Sequence, residues 1–517
     1  MKKFVWIFSF CIVASVVIFI SCSKSITERT QNLAPLDPSK TDEDAGTWKT
    51  VLLTAPDEFS VPAPAATNSP AYLADINEIK GWQHNLTDEQ KQIVKYWTAG
   101  GVLRWNEILR TLVAKHNLPP YQNEDGTYPF PTAANPFAYP VFPFANPPYA
   151  ARAYAYVAAA QYDALVATWH YKKLYNRPAP YHVDSSINPM VAVSDLPSYP
   201  SEDAAVAGAA VEMLKLLFPA DLDYINAKAA EHKLARIMAG ANTRSDIDAG
   251  EALGKAVAGK FTARARTDRA GAAIGTPTYW SKLEQDCIAR GEVPWYSLEI
   301  PKRPPMLPLF GKVKSLGLDS LTLVSLRPGP PPATNSDQMR KETEEVYQFI
   351  ANPTRDHTAI VHFWADGVGT YTPPGHWDAI AAEEFIKKNY SEVRWARNFA
   401  LLNMAIFDAG IVCWDTKYVY FNARPTQLNP NIKTLTGIPN FPAYISGHST
   451  FSAAAATVLG YLIPDKAQQF NDMATEASMS RIYGGIHYRS DCEVGLVVGK
   501  NIGNYMVERG KIDGAGE

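Results

Sequence analysis

Residues 397–417 read RNFALLNMAIFDAGIVCWDTK, and residues 152–172 read RAYAYVAAAQYDALVATWHYK. Arg152, Asp163, Trp169 and Lys172 recur as Arg397, Asp408, Trp414 and Lys417, always 245 positions later. The offset persists downstream. Pro197, Tyr199, Ser201 and Pro219 return as Pro442, Tyr444, Ser446 and Pro464. Arg236, Gly240, Asp246, Gly250 and Gly254 return as Arg481, Gly485, Asp491, Gly495 and Gly499. A single offset held this long marks a duplicated unit. Upstream, Ile93–Trp97 resembles Ile360–Trp364 at a larger offset, so the second copy carries an insertion near its start.

The repeated stretches are too long for strands and rich in good helix formers, as in Ala150–Thr168, Ala204–Leu217, Arg397–Val412 and Ser452–Leu462. The expected fold is all-α: two homologous helical bundles, residues 84–261 and 355–508, with a proline-rich irregular insert at 262–354 and a short tail at 509–517. An insert of that length is expected to serve as a lid or pocket wall.

Lys2 and Lys3 precede an apolar run, Phe4–Ile20, that ends in Ile20-Ser21-Cys22, the pattern of a lipoprotein signal over residues 1–22 with Cys22 as the lipid-bearing residue. Residues 23–83, rich in Pro, Ser, Thr and Ala, read as a flexible tether. The body is therefore expected to be exported and held at a membrane by its lipid. Cys287, Cys413 and Cys492 have no zinc-like spacing and read as buried thiols. A net charge of -3 offers no global basic field for nucleic acid, so anion binding must come from a local cluster.

Such a cluster lies in the second half. Lys417 is followed by Arg424-Pro425, then Ser446-Gly447-His448, then Arg481, His487 and Asp491. An oxyanion carrying several charges needs fixed donors, which two arginine forks and a lysine supply. Ser446 and Gly447 would open a helix whose free N–H groups favour an anion. His487 and Asp491 are four apart, so the carboxylate can fix the imidazole tautomer and leave the other nitrogen as nucleophile or ligand. His448 would move a proton.

In their order, these three blocks resemble the superfamily that joins type 2 phosphatidic acid phosphatases to vanadium-dependent haloperoxidases. The resemblance implies catalytic roles for His487, His448 and Asp491, with His487 as the vanadium ligand and Lys417, Arg424, Ser446, Gly447 and Arg481 around the oxygens of vanadate. Trp414 and the Phe441-Pro442-Ala443-Tyr444 run are similar to those of chloroperoxidase-like members and imply an aromatic wall. Asp366, in Phe363-Trp364-Ala365-Asp366-Gly367, would then pair with Arg481 or His448. Ile445 departs from the proline usual before Ser-Gly-His.

The first half keeps Lys172, Arg177-Pro178, Ser201, Arg236 and Asp246, but has Glu202, Asp203 and Asn242 where Gly447, His448 and His487 stand. Two carboxylates there repel an anion, so this half is expected to be a scaffold without an active site, or else a vestigial cation or small-ligand site. Three functions follow for the whole chain. The first is a vanadate-dependent haloperoxidase using halide and hydrogen peroxide. The second is an acid phosphatase acting on phosphate esters through a phosphohistidine at His487, with no cofactor. The third is a surface lipoprotein that retains only the fold.

Overall fold

The computed structural model describes residues 32–117, 146–298 and 302–516. The lipoprotein signal, with Cys22, lies outside the described residues. Among the described residues the regular structure is helical, with one isolated bridge between Pro294 and Asn422.

Helices α1 (Pro70–His84), α2 (Asp88–Trp97) and α3 (Gly101–His116) lead into the first bundle, α4 (Pro147–Tyr175), α5 (Pro180–Val183), α6 (Glu202–Leu217), α7 (Leu222–Met238) and α8 (Arg244–Thr267). The insert contributes α9 (Pro277–Ala289), α10 (Ser320–Ser325) and α11 (Asp337–Ala351), where proline content had suggested irregular chain. Two short helices follow, α12 (Arg355–Phe363) and α13 (Thr372–Phe385). The second bundle is α14 (Glu392–Tyr420), α15 (Pro425–Leu428), α16 (Gly447–Leu462), α17 (Ala467–Tyr483) and α18 (Arg489–Lys511). Each helix of the second bundle begins 245 residues after its counterpart in the first.

The local causes also repeat. Asn146 and Ser391 cap α4 and α14 with their side chains, and both helices run 29 residues before a left-handed residue, Asn176 or Phe421, stops them. Arg152 Nε donates to Asp268 at 2.7 Å, and Arg397 Nε to Asp513 at 2.7 Å. Trp97 and Trp364 donate their indole N–H groups to Glu231 and Glu476, each at 2.9 Å.

α4 and α14 pack along one another at the centre, with small Ala faces admitting a close approach and Tyr156 meeting Phe407 at a centroid distance of 6.2 Å. α14 is long and apolar enough to cross a membrane, yet its most apolar stretch is wholly buried within the protein, as a core helix requires.

The recurring glycines have a steric cause. A Cβ at Gly254 would lie 2.1 Å from the Ala205 carbonyl oxygen, and one at Gly499 would lie 2.2 Å from that of Thr450. Only glycine lets α8 rest on α6, and α18 on α16, at this distance. Gly499→Ala should destabilise the protein by about 1–3 kcal/mol through overpacking. It should also displace α16 and its Ser446-Gly447-His448 end. Gly254→Ala should lower Tm comparably in thermal unfolding while sparing second-half activity, and equal activity losses in the two variants would contradict this division.

The tether reading of residues 23–83 does not hold for the later part of that range. Trp48 is buried, α1 is a helix, and the Asp163 carboxylate accepts the amides of Val51, Leu52 and Leu53 at 2.6, 2.8 and 3.0 Å. Tyr171, Tyr175 and Tyr199 donate to the carbonyls of Phe59, Val61 and Pro62. A proline-rich extended segment has no hydrogen bonds of its own, and here side chains of the first bundle supply them. In the second half the insert takes this covering role: Ser315 hydrogen-bonds Asp408, the counterpart of Asp163, and Phe310 is buried between Phe407 and Trp414.

Candidate active site

Three chain segments bring the cations and histidines together. Lys417 lies in the last turn of α14, fully buried, with Nζ donating to the carbonyls of Pro442 at 2.9 Å and Ala443 at 2.8 Å. Its Nζ sits 5.0 Å from the centre of the Phe441 ring. Burial pushes the ammonium well below the usual lysine value. Arg424 precedes α15 and spends its fork on backbone: Nε and Nη2 donate to Phe441 O, and Nη1 to Ile486 O. Nη1 also faces His487 Nε2 at 3.0 Å. Burial lowers this guanidinium to about 10.

His487 is held between two charges. Arginine can only donate, so its approach to Nε2 places the imidazole proton on Nδ1, 2.9 Å from Asp491 Oδ2. Burial, reinforced by Arg424 and Lys417, pushes His487 well below its ordinary value and leaves a neutral ring with its Nε2 lone pair toward the cations. Asp491 stands in the first turn of α18, where it also accepts the Tyr488 amide at 3.1 Å. This is the arrangement expected from the four-residue spacing.

Ser446 is the N-cap of α16, and Gly447 and His448 are its first two residues. A Cβ at Gly447 would meet only Phe451 and Trp414, both at 3.7 Å, an ordinary contact. The packing of the protein does not demand glycine there, and the absent side chain leaves the backbone open to close approach by a ligand. His448 Nε2 is buried without a hydrogen-bond partner among the described residues, as is Arg481 Nε; Arg481 Nη1 donates to Trp364 O at 2.9 Å. Burial, then Arg481, keeps His448 well below its ordinary value. Two orphaned nitrogens, a helix N-terminus and a compensated imidazole fit a multiply charged oxyanion such as vanadate or phosphate.

Trp414 and Phe441, the residues expected to form an aromatic wall, lie against each other at a centroid distance of 5.0 Å, and the insert anchors this pair, because Met306 O accepts both Trp414 Nε1 and Tyr418 OH. Ile445 is buried, with its carbonyl accepting from Cys413, and Ser446 keeps its cap position. Cys287, Cys413 and Cys492 are free buried thiols, as expected.

Asp366 differs in part from expectation. Its main partner is His376 of α13, whose Nδ1 lies 3.0 Å from Oδ1, while His448 Nε2 is 3.8 Å from Oδ2. Sequence reading missed His376. Its signal was faint: a histidine after Pro373-Pro374-Gly375, with the prolines starting the helix.

The first-half alignment also needs correction. Helix α5 begins at Pro180, so Ala179, and not Arg177, occupies the place of Arg424. Arg177 turns instead to Asp246 and Thr243. Lys172 pairs with Glu202 at 2.9 Å, and Arg236 with Asp203 at 2.9 Å, so both retained cations are neutralised within their own half.

A buried cluster of cations and imidazoles thus lies at a helix N-terminus inside an all-helical scaffold. Residues 398–508 match the model of the PAP2 superfamily. The chain is 28% identical over 198 residues to the vanadium chloroperoxidase of Curvularia inaequalis, an alignment covering 30% of this chain and 32% of that relative. The crystal structure of a bacterial vanadium-dependent iodoperoxidase superposes with a TM-score of 0.55 at 24% identity, covering 70% of this chain and 91% of the other, and bears out the all-α fold.

Proposed function

We propose that this protein is a vanadate-dependent haloperoxidase that oxidises a halide with hydrogen peroxide at the second-half site. The observation carrying this reading is the pair of buried nitrogens without partners, His448 Nε2 and Arg481 Nε, together with a His487 whose tautomer is fixed by Asp491. His487 Nε2 would ligate vanadium, and Lys417, Arg424, Ser446, Gly447 and Arg481 would hold the oxygens of vanadate. When bound, vanadate would supply Lewis-acid activation of peroxide. Lys417 and Arg424 offset its charge; Trp414 and Phe441 exclude water from the halide side. A bound anion raises the pKa of His448, which then exchanges a proton with the oxidant.

A second reading has its own support, the PAP2 superfamily match itself. The same residues suit a phosphomonoesterase in which His487 Nε2 attacks phosphorus, the leaving alkoxide takes a proton from His448, and water then hydrolyses the phosphohistidine. Both readings place the enzyme outside the cytoplasm on a lipid at Cys22, which mass spectrometry of the mature N-terminus would test.

The full chain, stripped of bound anions and assayed in parallel, separates the two reactions. Halide oxidation that depends on peroxide and appears only on adding orthovanadate is the expected result. Phosphate-ester hydrolysis inhibited by vanadate, with no halide oxidation, would overturn the haloperoxidase reading in favour of the phosphatase.

A further inference from the structure

The place in the first bundle that corresponds to the catalytic site is not filled in. A cavity of about 170 Å³ lies there, with Lys172, Glu202, Asp203 and Arg236 on one side and Glu392, the first residue of α14, on the other. That volume suits a molecule of on the order of ten non-hydrogen atoms.

The charges around it do not balance. Lys172 is paired with Glu202, and Arg236 with Asp203. His232 adds no positive charge: Trp105 Nε1 donates to its Nδ1 at 3.2 Å, which puts the imidazole proton on Nε2, 3.0 Å from Asp203. Burial holds this imidazole below its ordinary value. Glu392 has no cation of its own among the described residues, so its ionised form would be in excess, and the exposed Asp37 adds a carboxylate at the rim. Glu392 is 9% exposed, and its Oε1 accepts the Val102 amide. No hydrogen bond reaches its Oε2 among the described residues, and Glu392 lines the cavity. Burial, and then the Asp203 carboxylate, push Glu392 far above the usual carboxylate range.

We propose that this cavity binds a small organic ammonium compound, with the cationic nitrogen donating to Glu392 Oε2 and the excess carboxylates balancing its charge. An oxyanion is excluded by Glu202 and Asp203, which stand where Gly447 and His448 admit one in the other half. A bare divalent ion is disfavoured because the two cations, Lys172 and Arg236, sit among the carboxylates. An ammonium group provides the directed donor that Oε2 lacks. The duplicated pocket has thus exchanged anion recognition for cation recognition through changes at Glu202, Asp203 and Asn242, together with a carboxylate borrowed from the other bundle.

Calorimetric titration of the full chain with ethanolamine and with 1,4-diaminobutane at pH 7, in two buffers of different ionisation enthalpy, tests this site. Saturable one-to-one binding is expected, with close to one proton released per amine as Glu392 ionises, and with affinity rising from pH 6 to pH 8. Glu392→Gln keeps the acceptor for Val102 and should weaken binding by about tenfold or more while removing the proton release. Glu202→Gln, nearer the solvent, should weaken it several-fold and serves if the buried variant fails to fold. His487→Ala should leave amine binding unchanged, which keeps this site independent of the proposed catalytic function. No saturable heat from either amine, unchanged affinity in both glutamate variants, or displacement of bound amine by inorganic phosphate in His487→Ala would each overturn the proposal.

Discussion

His487→Ala lowers peroxide-dependent halide oxidation, or phosphate release if that is the reaction, by at least about 10³-fold, the scale expected when a positioned reactive group is lost. The variant removes the Nε2 lone pair that faces Arg424 and leaves Asp491 with only the Tyr488 amide as donor. The far-ultraviolet circular dichroism of the helices should not change, because the ring contributes no cap and little core volume. His487→Gln should be nearly as inactive, since an amide cannot take the role of a neutral imidazole fixed by a carboxylate. Retention of more than a tenth of the activity in either variant would mean that the reaction does not pass through this residue.

Arg397→Met is expected to destabilise the protein by about 3–5 kcal/mol, the range for breaking one side of a buried ion pair. Arg397 donates to Asp513 through Nε and Nη2 and to Gly510 O, all in the core. Without it Asp513 keeps only the Ala515 amide. Its counterpart Arg152 donates to Asp268 through Nε alone and to Ala265 O through Nη2, and Asp268 also accepts Tyr156 OH at 2.9 Å and the Ala270 amide. Arg152→Met should therefore be the milder change. Denaturant unfolding that ranks the two variants in the opposite order would show that the extra tyrosine donor does not matter.

The sequence was most legible where chemistry depends on spacing along one helix. His487 and Asp491 are joined by a single helical turn, and Ser446 caps the helix that it begins. It was less legible where partners come from different segments. His376 meets Asp366 across a bend in which Asp366 has φ of 46°, and no periodicity marks that encounter. The Arg177-Pro178 pair looked equivalent to Arg424-Pro425 because the dipeptides match, but helix phase placed Ala179 there instead. Composition read residues 23–83 as a flexible tether, because composition reports a lack of internal hydrogen bonding and not the side chains that replace it.

By itself the amino-acid sequence determined the all-helical class, the 245-residue register of the helices in the two halves, and the residues proposed for the anion site, since helix period, capping and charge are properties of neighbouring positions. Only the tertiary structure decided which nitrogen of His487 carries the proton, which donors are left without partners, and that Glu392 of one bundle closes the cavity of the other. Those outcomes depend on desolvation and on contacts between residues far apart in the chain, and both exist only once the bundles have packed.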